Sequence, residues 1–209
     1  MLLLKLTTLQ ILFLILAPIV VITLLVLFVI LPSKERYIKN HFQEYCYKEI
    51  YRLAFNEDYY LINNLTFKVD YKSVCIDHVL FGNKYFYVII DTYLPGDLIG
   101  KENDKSLILI DNHNQKHYTE NQFLTCKALI DCLKAKTGID KELLIGIAIV
   151  NNDCKVGVES DSKQLYIIQR NKFKKLVKAI ESRDVKKIKP NETDAFVKSL
   201  DEINTRDKK

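Results

Sequence analysis

Residues 73–100 constrain the fold of this chain more than any other stretch. Two runs rich in β-branched and aromatic residues flank Gly82 and Asn83, a pair typical of tight turns. We therefore predict a β-hairpin here. Asp77 lies among apolar neighbours in its first strand, and burying a carboxylate is costly unless a cation, a donor or a metal pairs with it. Asp77 is the first candidate functional residue, and a structural acid satisfied by His78 or by backbone donors is the alternative.

The same stretch resembles the core of the NERD (nuclease-related) domains, which belong to the PD-(D/E)XK nuclease-like superfamily. The resemblance rests on residues 76–79 (Ile-Asp-His-Val), the glycine turn, the aromatic and aliphatic strand and the spaced glycines that follow it. It implies a catalytic and metal-binding role for Asp77. In the family the second strand ends in Glu-x-Lys, and counting back from Gly96 aligns that motif with Ile90 and Thr92. Both catalytic positions are therefore substituted in this chain.

The resemblance implies further site residues on two helices. Gln122 falls where the family has a glutamine, shortly after the start of the helix that follows the strands. In the family an acidic residue of an earlier helix also joins the active site. Glu44 and Glu49 are its approximate counterparts here, with exposed helix charges as the alternative for both.

Hydrolysis of phosphodiesters in this superfamily depends on a metal and a lysine. Carboxylates hold Mg²⁺, which polarises the phosphate, and the lysine steadies the attacking water. Side chains alternate along a strand, so Asp91 should point away from the face of Ile90 and Thr92. Asp91 could then replace the lost glutamate only through a register shift or a bulge. We predict no cofactor, and Mg²⁺ only if the domain is an active nuclease.

An uncharged apolar run over residues 6–31 predicts a transmembrane helix, because it is long enough for a hydrocarbon core of about 30 Å. A cleaved signal peptide, the alternative, has a shorter apolar region. Lys5 alone precedes the run, whereas Lys34, Arg36 and Lys39 follow it. The positive-inside rule then predicts a single-pass protein of the cell membrane, with its N-terminus outside and its C-terminal domain in the cytoplasm.

The order of the remaining elements predicts an α/β fold. We expect a juxtamembrane amphipathic helix over residues 33–54, a NERD-like domain over residues 55–182 and a charged C-terminal tail over residues 183–209. The apolar run over residues 143–150 predicts a strand that is covered on both faces. The predicted fold class is an N-terminal transmembrane helix followed by one restriction-endonuclease-like α/β domain, with a mixed central sheet flanked by helices.

Charge and cysteine content bear on the partners. The formal net charge is +5, with many lysines balanced by many acids. This surplus permits contact with nucleic acid or anionic lipid without requiring either. The five cysteines form no CxxC pair and show no spacing suited to zinc, so we predict reduced thiols.

Three functions are compatible with these observations. The first is a membrane-anchored, cytoplasm-facing NERD-like domain that has lost nuclease activity and binds nucleic acid or a protein partner. The second is an active metal-dependent nuclease with migrated carboxylates. The third is a structural membrane interaction protein with no nucleic-acid role. The migrated site would draw on a helix glutamate or on residues from this set: Asp70, Asp91, Asp97, Lys72 and Lys84.

Overall fold

The computed structural model describes residues 8–26 and 31–205. The chain divides into two compact units after His41. The first unit contains two helices, α1 (Thr8–Leu25) and α2 (Leu31–Asn40). The second unit carries all the strands of the described part of the chain.

The prediction of an N-terminal transmembrane helix over residues 6–31 is wrong. Within residues 8–26 and 31–205, no helix has both the length and the apolar character needed to cross a membrane. The apolar helix α1 has 18 residues. Residues 6, 7 and 27–30 of the predicted span lie outside the described residues.

The amphipathic helix expected over residues 33–54 is divided between α2 and a longer helix, α3 (Phe42–Glu57). The two helices are separated by a turn at His41, whose backbone N–H donates to the carbonyl of Tyr37 at 3.1 Å. The buried residues of α3 recur at the three- and four-residue spacing that places side chains on one face of a helix. They are Phe42, Cys46, Ile50, Leu53 and Ala54.

The strands of the second unit form two mixed sheets, so the α/β part of the predicted fold class agrees with the structure. In chain order the strands are β1 (Tyr60–Val69), β2 (Lys72–Phe81), β3 (Phe86–Thr92), β4 (Gly96–Lys101), β5 (Ser106–Asp111), β6 (Lys116–Glu120), β7 (Leu144–Val150), β8 (Val156–Glu159) and β9 (Leu165–Gln169). The larger sheet has the order β1-β2-β3-β7-β9, and the smaller has the order β6-β5-β4-β8.

The predicted hairpin is confirmed as β2 and β3, which pair antiparallel. β1 extends this antiparallel arrangement, whereas β7 runs parallel to β3 and β9 runs parallel to β7. Every residue of β7 is buried, as expected for a strand covered on both faces.

Helices cover both faces of the larger sheet. The remaining helices are α4 (Gln122–Thr137), α5 (Phe173–Glu181) and α6 (Pro190–Ile203). We call the side packed against α3 and α5 the α3 face, to which Leu80 and Ile89 belong. The opposite side, which contains Val79, Val88 and Ile90 and packs against α4 and α6, is the α4 face. Successive residues of β3 therefore alternate between two cores.

The region predicted as a charged tail contains α6, whose Phe196 and Leu200 are buried in the core on the α4 face. Pro190 stands in the first turn of this helix, where a missing N–H has no cost. The ring of Phe196 lies 4.9 Å from that of Phe86, between ring centroids. Part of the predicted tail is therefore a helix that packs against the core.

Candidate functional site

In β1 and β2, the regular alternation of side chains between the two faces of the sheet is interrupted at facing positions. Asn64 has a left-handed backbone with φ of 53°. The pair between Asn64 and Asp77 is missing from a register that is otherwise continuous on both sides. As a result, Ile76 and Val79 pack in the same core although an odd number of positions separates them. This break brings both Asp77 and His78 to one pocket.

The pocket at this break has a volume of about 380 Å³, within the range of small-ligand sites. It opens between the first turns of α3 and the neighbouring parts of β1, β2 and β3. Its lining is polar apart from the tyrosine ring and consists of Gln43, Glu44, Tyr47, Asn63, Asn64, Asp77, His78 and Asp91.

A buried pair between His78 and Asp91 forms the floor of the pocket. His78 Nε2 lies 2.8 Å from Asp91 Oδ2, and the two side chains are 6% and 0% exposed. The other ring nitrogen, Nδ1, lies 2.7 Å from Asn63 Oδ1. An oxygen therefore faces each ring nitrogen, and the tautomer decides which nitrogen donates. Asp91 thus has its negative charge compensated by a neighbouring ring rather than by solvent.

Asp77 lies beside this pair. Its Oδ2 accepts the backbone N–H of Asp91 at 2.9 Å. Burial raises the pKa of the Asp77 carboxyl, and the charge of Asp91 adds to the effect, whereas the hydrogen bond from the Asp91 backbone and the proximity of His78 lower it. The raised pKa means that the ionised form of Asp77 lacks full compensation, so the pocket favours a ligand with a cationic or donor group.

The second oxygen of Asp91, Oδ1, is buried and has no hydrogen-bond partner within the described residues. The thiol of Cys46, which is fully buried in α3, lies next to the Asp91 carboxylate. Burial, and after it the charge of Asp91, raise the pKa of this thiol well above its usual range. Cys46 therefore stays protonated and is unsuited to be a nucleophile.

The pocket residues do not fit the metal centre that the resemblance implies. Asp91 Oδ2 is taken by His78, and the Asp91 side chain is closed to solvent. His78 presents both nitrogens to oxygen atoms, so neither has a lone pair directed at a metal. No lysine lines the pocket. Within residues 8–26 and 31–205, no group of three or more His, Cys, Asp or Glu residues is arranged to hold a metal ion.

The residues aligned with the family's catalytic positions do not gather around Asp77. Ile90 is 8% exposed and packs in the core on the α4 face, and Thr92 is half-buried at the end of β3. Gln122 is the first residue of α4, the helix that covers the same side of the sheet as Ile90. Its side chain is 3% exposed. Its Oε1 has no hydrogen-bond partner in the described part of the chain. None of these three residues lines the pocket.

Asp91 and Glu44 are the two alternative acids that the structure brings to the pocket of Asp77. The inference that Asp91 points away from Ile90 holds, but the break at Asn64 turns Asp77 to the side of Asp91. The other candidates do not line this pocket. Asp70 lies in the β1–β2 turn, Lys72 begins β2, and Lys84 lies at the β2–β3 turn. Asp97 lies beside Lys155, and Glu49 is on α3 outside the pocket lining.

Sequence reasoning missed Asn63, His78 and Tyr47 as pocket residues. One signal was available: two adjacent asparagines interrupt a strand pattern, and asparagine tolerates the left-handed conformation that breaks alternation. His78 was considered only as a partner for Asp77. In the structure it pairs instead with Asp91, fourteen positions after Asp77 in the neighbouring strand.

Comparisons of the chain with protein-family models, with curated proteins and with solved structures find no match. The resemblance to the NERD domains therefore rests on its own residues and stays a prediction. In the pocket, the buried contact between His78 and Asp91 lies beside Asp77, whose carboxyl has a raised pKa.

Proposed function

We propose that the second unit is a nuclease-related domain that binds nucleic acid without cleaving it. The observation that carries this proposal is the pair between Asp91 and His78, at 2.8 Å and almost closed to solvent. Of the strand carboxylates in the described part of the chain, Asp91 is the one that lines the pocket together with Asp77, and its Oδ2 faces His78. Hydrolysis would need that pair to separate, at the cost of a buried unpaired charge.

The order of elements supports the proposal. α3 precedes three antiparallel strands, β1 to β3, and α4 then leads into β7, which pairs parallel with β3. A mixed central sheet with helices on both faces is the architecture that the resemblance implies. The support is limited to fold, since function depends on the site and not on the architecture.

The charge distribution favours nucleic acid over a neutral partner. Residues 170–189 contain nine Lys or Arg and two acids, a net charge of +7, so the rest of the chain carries −2. Lys174, Lys175, Lys186 and Lys187 of this segment are exposed and form no salt bridge within the described residues. Lysines of this kind gain affinity for phosphates by releasing condensed counterions.

A cleavage and binding assay on the full chain tests the proposal. We expect no Mg²⁺- or Mn²⁺-dependent cleavage of single- or double-stranded DNA or RNA, together with binding that weakens as salt rises. The double variant Lys174→Gln, Lys175→Gln should reduce the slope of log affinity against log salt by about 0.7 to 0.9 per lost phosphate contact. Lys134→Gln, Lys136→Gln on α4 is the matched control. Absence of binding by the wild type would reject the proposal.

One observation favours a second candidate, an active nuclease. Glu44, Asp77 and Asp91 line the same pocket. A metal could use them only if Asp91 exchanged His78 for the ion. Calorimetric titration with Mn²⁺ decides: saturable heat in the wild type that disappears in Asp77→Asn, accompanied by cleavage, would establish this candidate in place of the first. The Asn variant keeps an oxygen for the Asp91 N–H and so preserves the local fold.

A further inference from the structure

We infer that α3 presents a stacking surface for the bases of a single-stranded nucleic acid. The inference rests on the proposed function and names the form of nucleic acid and its binding surface. Tyr47, Tyr51 and Phe55 follow one another at four-residue spacing and lie in a row along one side of the helix. We call this row the aromatic ladder.

Neighbouring rings of the aromatic ladder lie close together and are inclined to one another by less than 40°. The centroids of Tyr47 and Tyr51 are 5.8 Å apart with 37° between the ring planes, and those of Tyr51 and Phe55 are 6.3 Å apart with 26°. A base inserted between two rings needs about 6.8 Å, twice the 3.4 Å stacking repeat of a nucleic-acid strand. The ladder thus needs little adjustment to accept a base.

The ladder is exposed, and its exposure rises with distance from the pocket. Tyr47, Tyr51 and Phe55 are 38%, 50% and 77% exposed. These three aromatic side chains stay wholly or partly exposed, whereas the core residues of α3 occupy the neighbouring side of the helix. The Tyr47 ring also stacks on His78 at 6.4 Å between centroids. The ladder therefore leads outward from the floor of the pocket.

Cationic side chains accompany the ladder. Lys48 and Arg52 each follow a ladder tyrosine by one residue, so they lie about 100° further around the helix. Lys48 is paired with Glu44 at 2.6 Å, and Arg52 is exposed. α5, with its exposed lysines, packs beside α3 and is joined to it by Lys178 and Glu57 at 2.8 Å.

Aromatic faces flanked by cations are the combination with which proteins bind single strands, since every base has a face for stacking and every nucleotide a phosphate. A duplex buries its base faces and cannot use the ladder. Each stacked base contributes a factor of roughly 5 to 150 in affinity. Removal of the ladder should therefore lower the affinity for single strands and leave the affinity for duplexes, which the lysines bind, unchanged.

Fluorescence anisotropy on the full chain tests the inference, with labelled dT20 and a labelled 20-base-pair duplex. We expect Tyr51→Ala, Phe55→Ala to weaken dT20 binding at least tenfold and duplex binding less than twofold. Tyr51→Phe, which keeps the ring, should bind dT20 as the wild type does. Tyr118→Ala removes an exposed tyrosine outside the ladder, 83% exposed on β6, and is the matched control. Thermal melting checks that each variant is folded.

The outcomes separate the inference from the proposed function. If the wild type binds both nucleic acids and the double variant still binds dT20 within twofold, the inference is wrong and the proposed function stands. If the wild type binds neither, both are wrong. If dT20 binding is unchanged while the double variant loses affinity for phosphatidylglycerol vesicles, the ladder serves a lipid surface and the inference is overturned.

Discussion

Two polar clusters lie at opposite ends of the β2–β3 hairpin, and they differ in how completely their acids are paired. At the turn end, Glu181 of α5 accepts the hydroxyl of Tyr87 at 2.7 Å and the backbone N–H of Lys84 at 3.0 Å. The backbone at Gly82 approaches so closely that a Cβ would lie 2.2 Å from Glu181 Oε1. At the pocket end, Asp91 has one buried oxygen without a hydrogen-bond partner.

The difference separates a structural contact from a candidate site. Both oxygens of Glu181 are occupied by donors from the hairpin, so this acid connects α5 to the sheet. Asp77 and Asp91 instead border a pocket of about 380 Å³, and the pKa of Asp77 is raised. Polar groups that are incompletely paired beside a cavity are where a ligand can gain binding energy.

The largest effect that would sharpen this comparison is expected for His78→Ala. The substitution leaves the Asp91 carboxylate buried without the imidazole that faces it, so we expect a loss of about 3–5 kcal/mol in the free energy of unfolding. Urea denaturation measures it. In the double variant His78→Leu, Asp91→Leu the charge is gone, and most of the stability should return. A single variant as stable as the wild type would contradict the pairing.

A smaller loss is expected at the turn end for Glu181→Ala. The Tyr87 hydroxyl, on a fully buried side chain, and the Lys84 N–H would both lose their acceptor, which should lower the free energy of unfolding by about 2 kcal/mol. Nucleic-acid affinity should stay within twofold of the wild type. An affinity loss in a variant that remains folded would show that the turn end is also functional.

Tyr87→Phe tests the same contact from the other side. The ring stays in place and Glu181 keeps the Lys84 N–H, so we expect a loss of about 1 kcal/mol in the same denaturation experiment. Combining it with Glu181→Ala gives a double-mutant cycle. Additive losses would mean that the hydroxyl and the carboxylate do not interact.

The smallest effect, and the only gain, is expected for Asp77→Asn. The folded pKa of Asp77 is raised above its ordinary value of 3.8, mainly by burial. Folding therefore favours the protonated form, and the wild type loses stability as pH rises from about 3.8 through the folded pKa. The Asn variant lacks this loss, so it should be more stable than the wild type at pH 7 and equal to it near pH 3. Thermal melting across this range checks the sign.

The sequence predicted the elements whose signals are local. The hairpin follows from the Gly82-Asn83 turn between two β-rich runs, and β7 follows from its apolar run. The apolar run near the N-terminus misled, because apolar composition alone predicted a membrane-spanning helix and no helix within residues 8–26 and 31–205 meets the requirements for one.

The pocket depended on contacts that no local pattern contains. Regular alternation predicts that Asp91 points away from the face of Ile90 and Thr92. The interruption of the β1–β2 register at the left-handed residue Asn64 brings Asp77 to the side of Asp91. Gln122 was associated with Asp77 through the resemblance, but α4 packs on the other side of the sheet. Which side chains meet depends on the phase of each strand and the face each helix covers.

The sequence by itself determined the hairpin, the buried central strand and the acid among apolar residues, because each is a property of neighbours along the chain. Only the tertiary structure decided that His78 pairs with Asp91 and that α6 closes the core, because these contacts join residues distant in sequence. The charge of Asp91 is acceptable only where such a partner is already in place. The identity of the partner is therefore set by the folded sheet and not by the residues beside it.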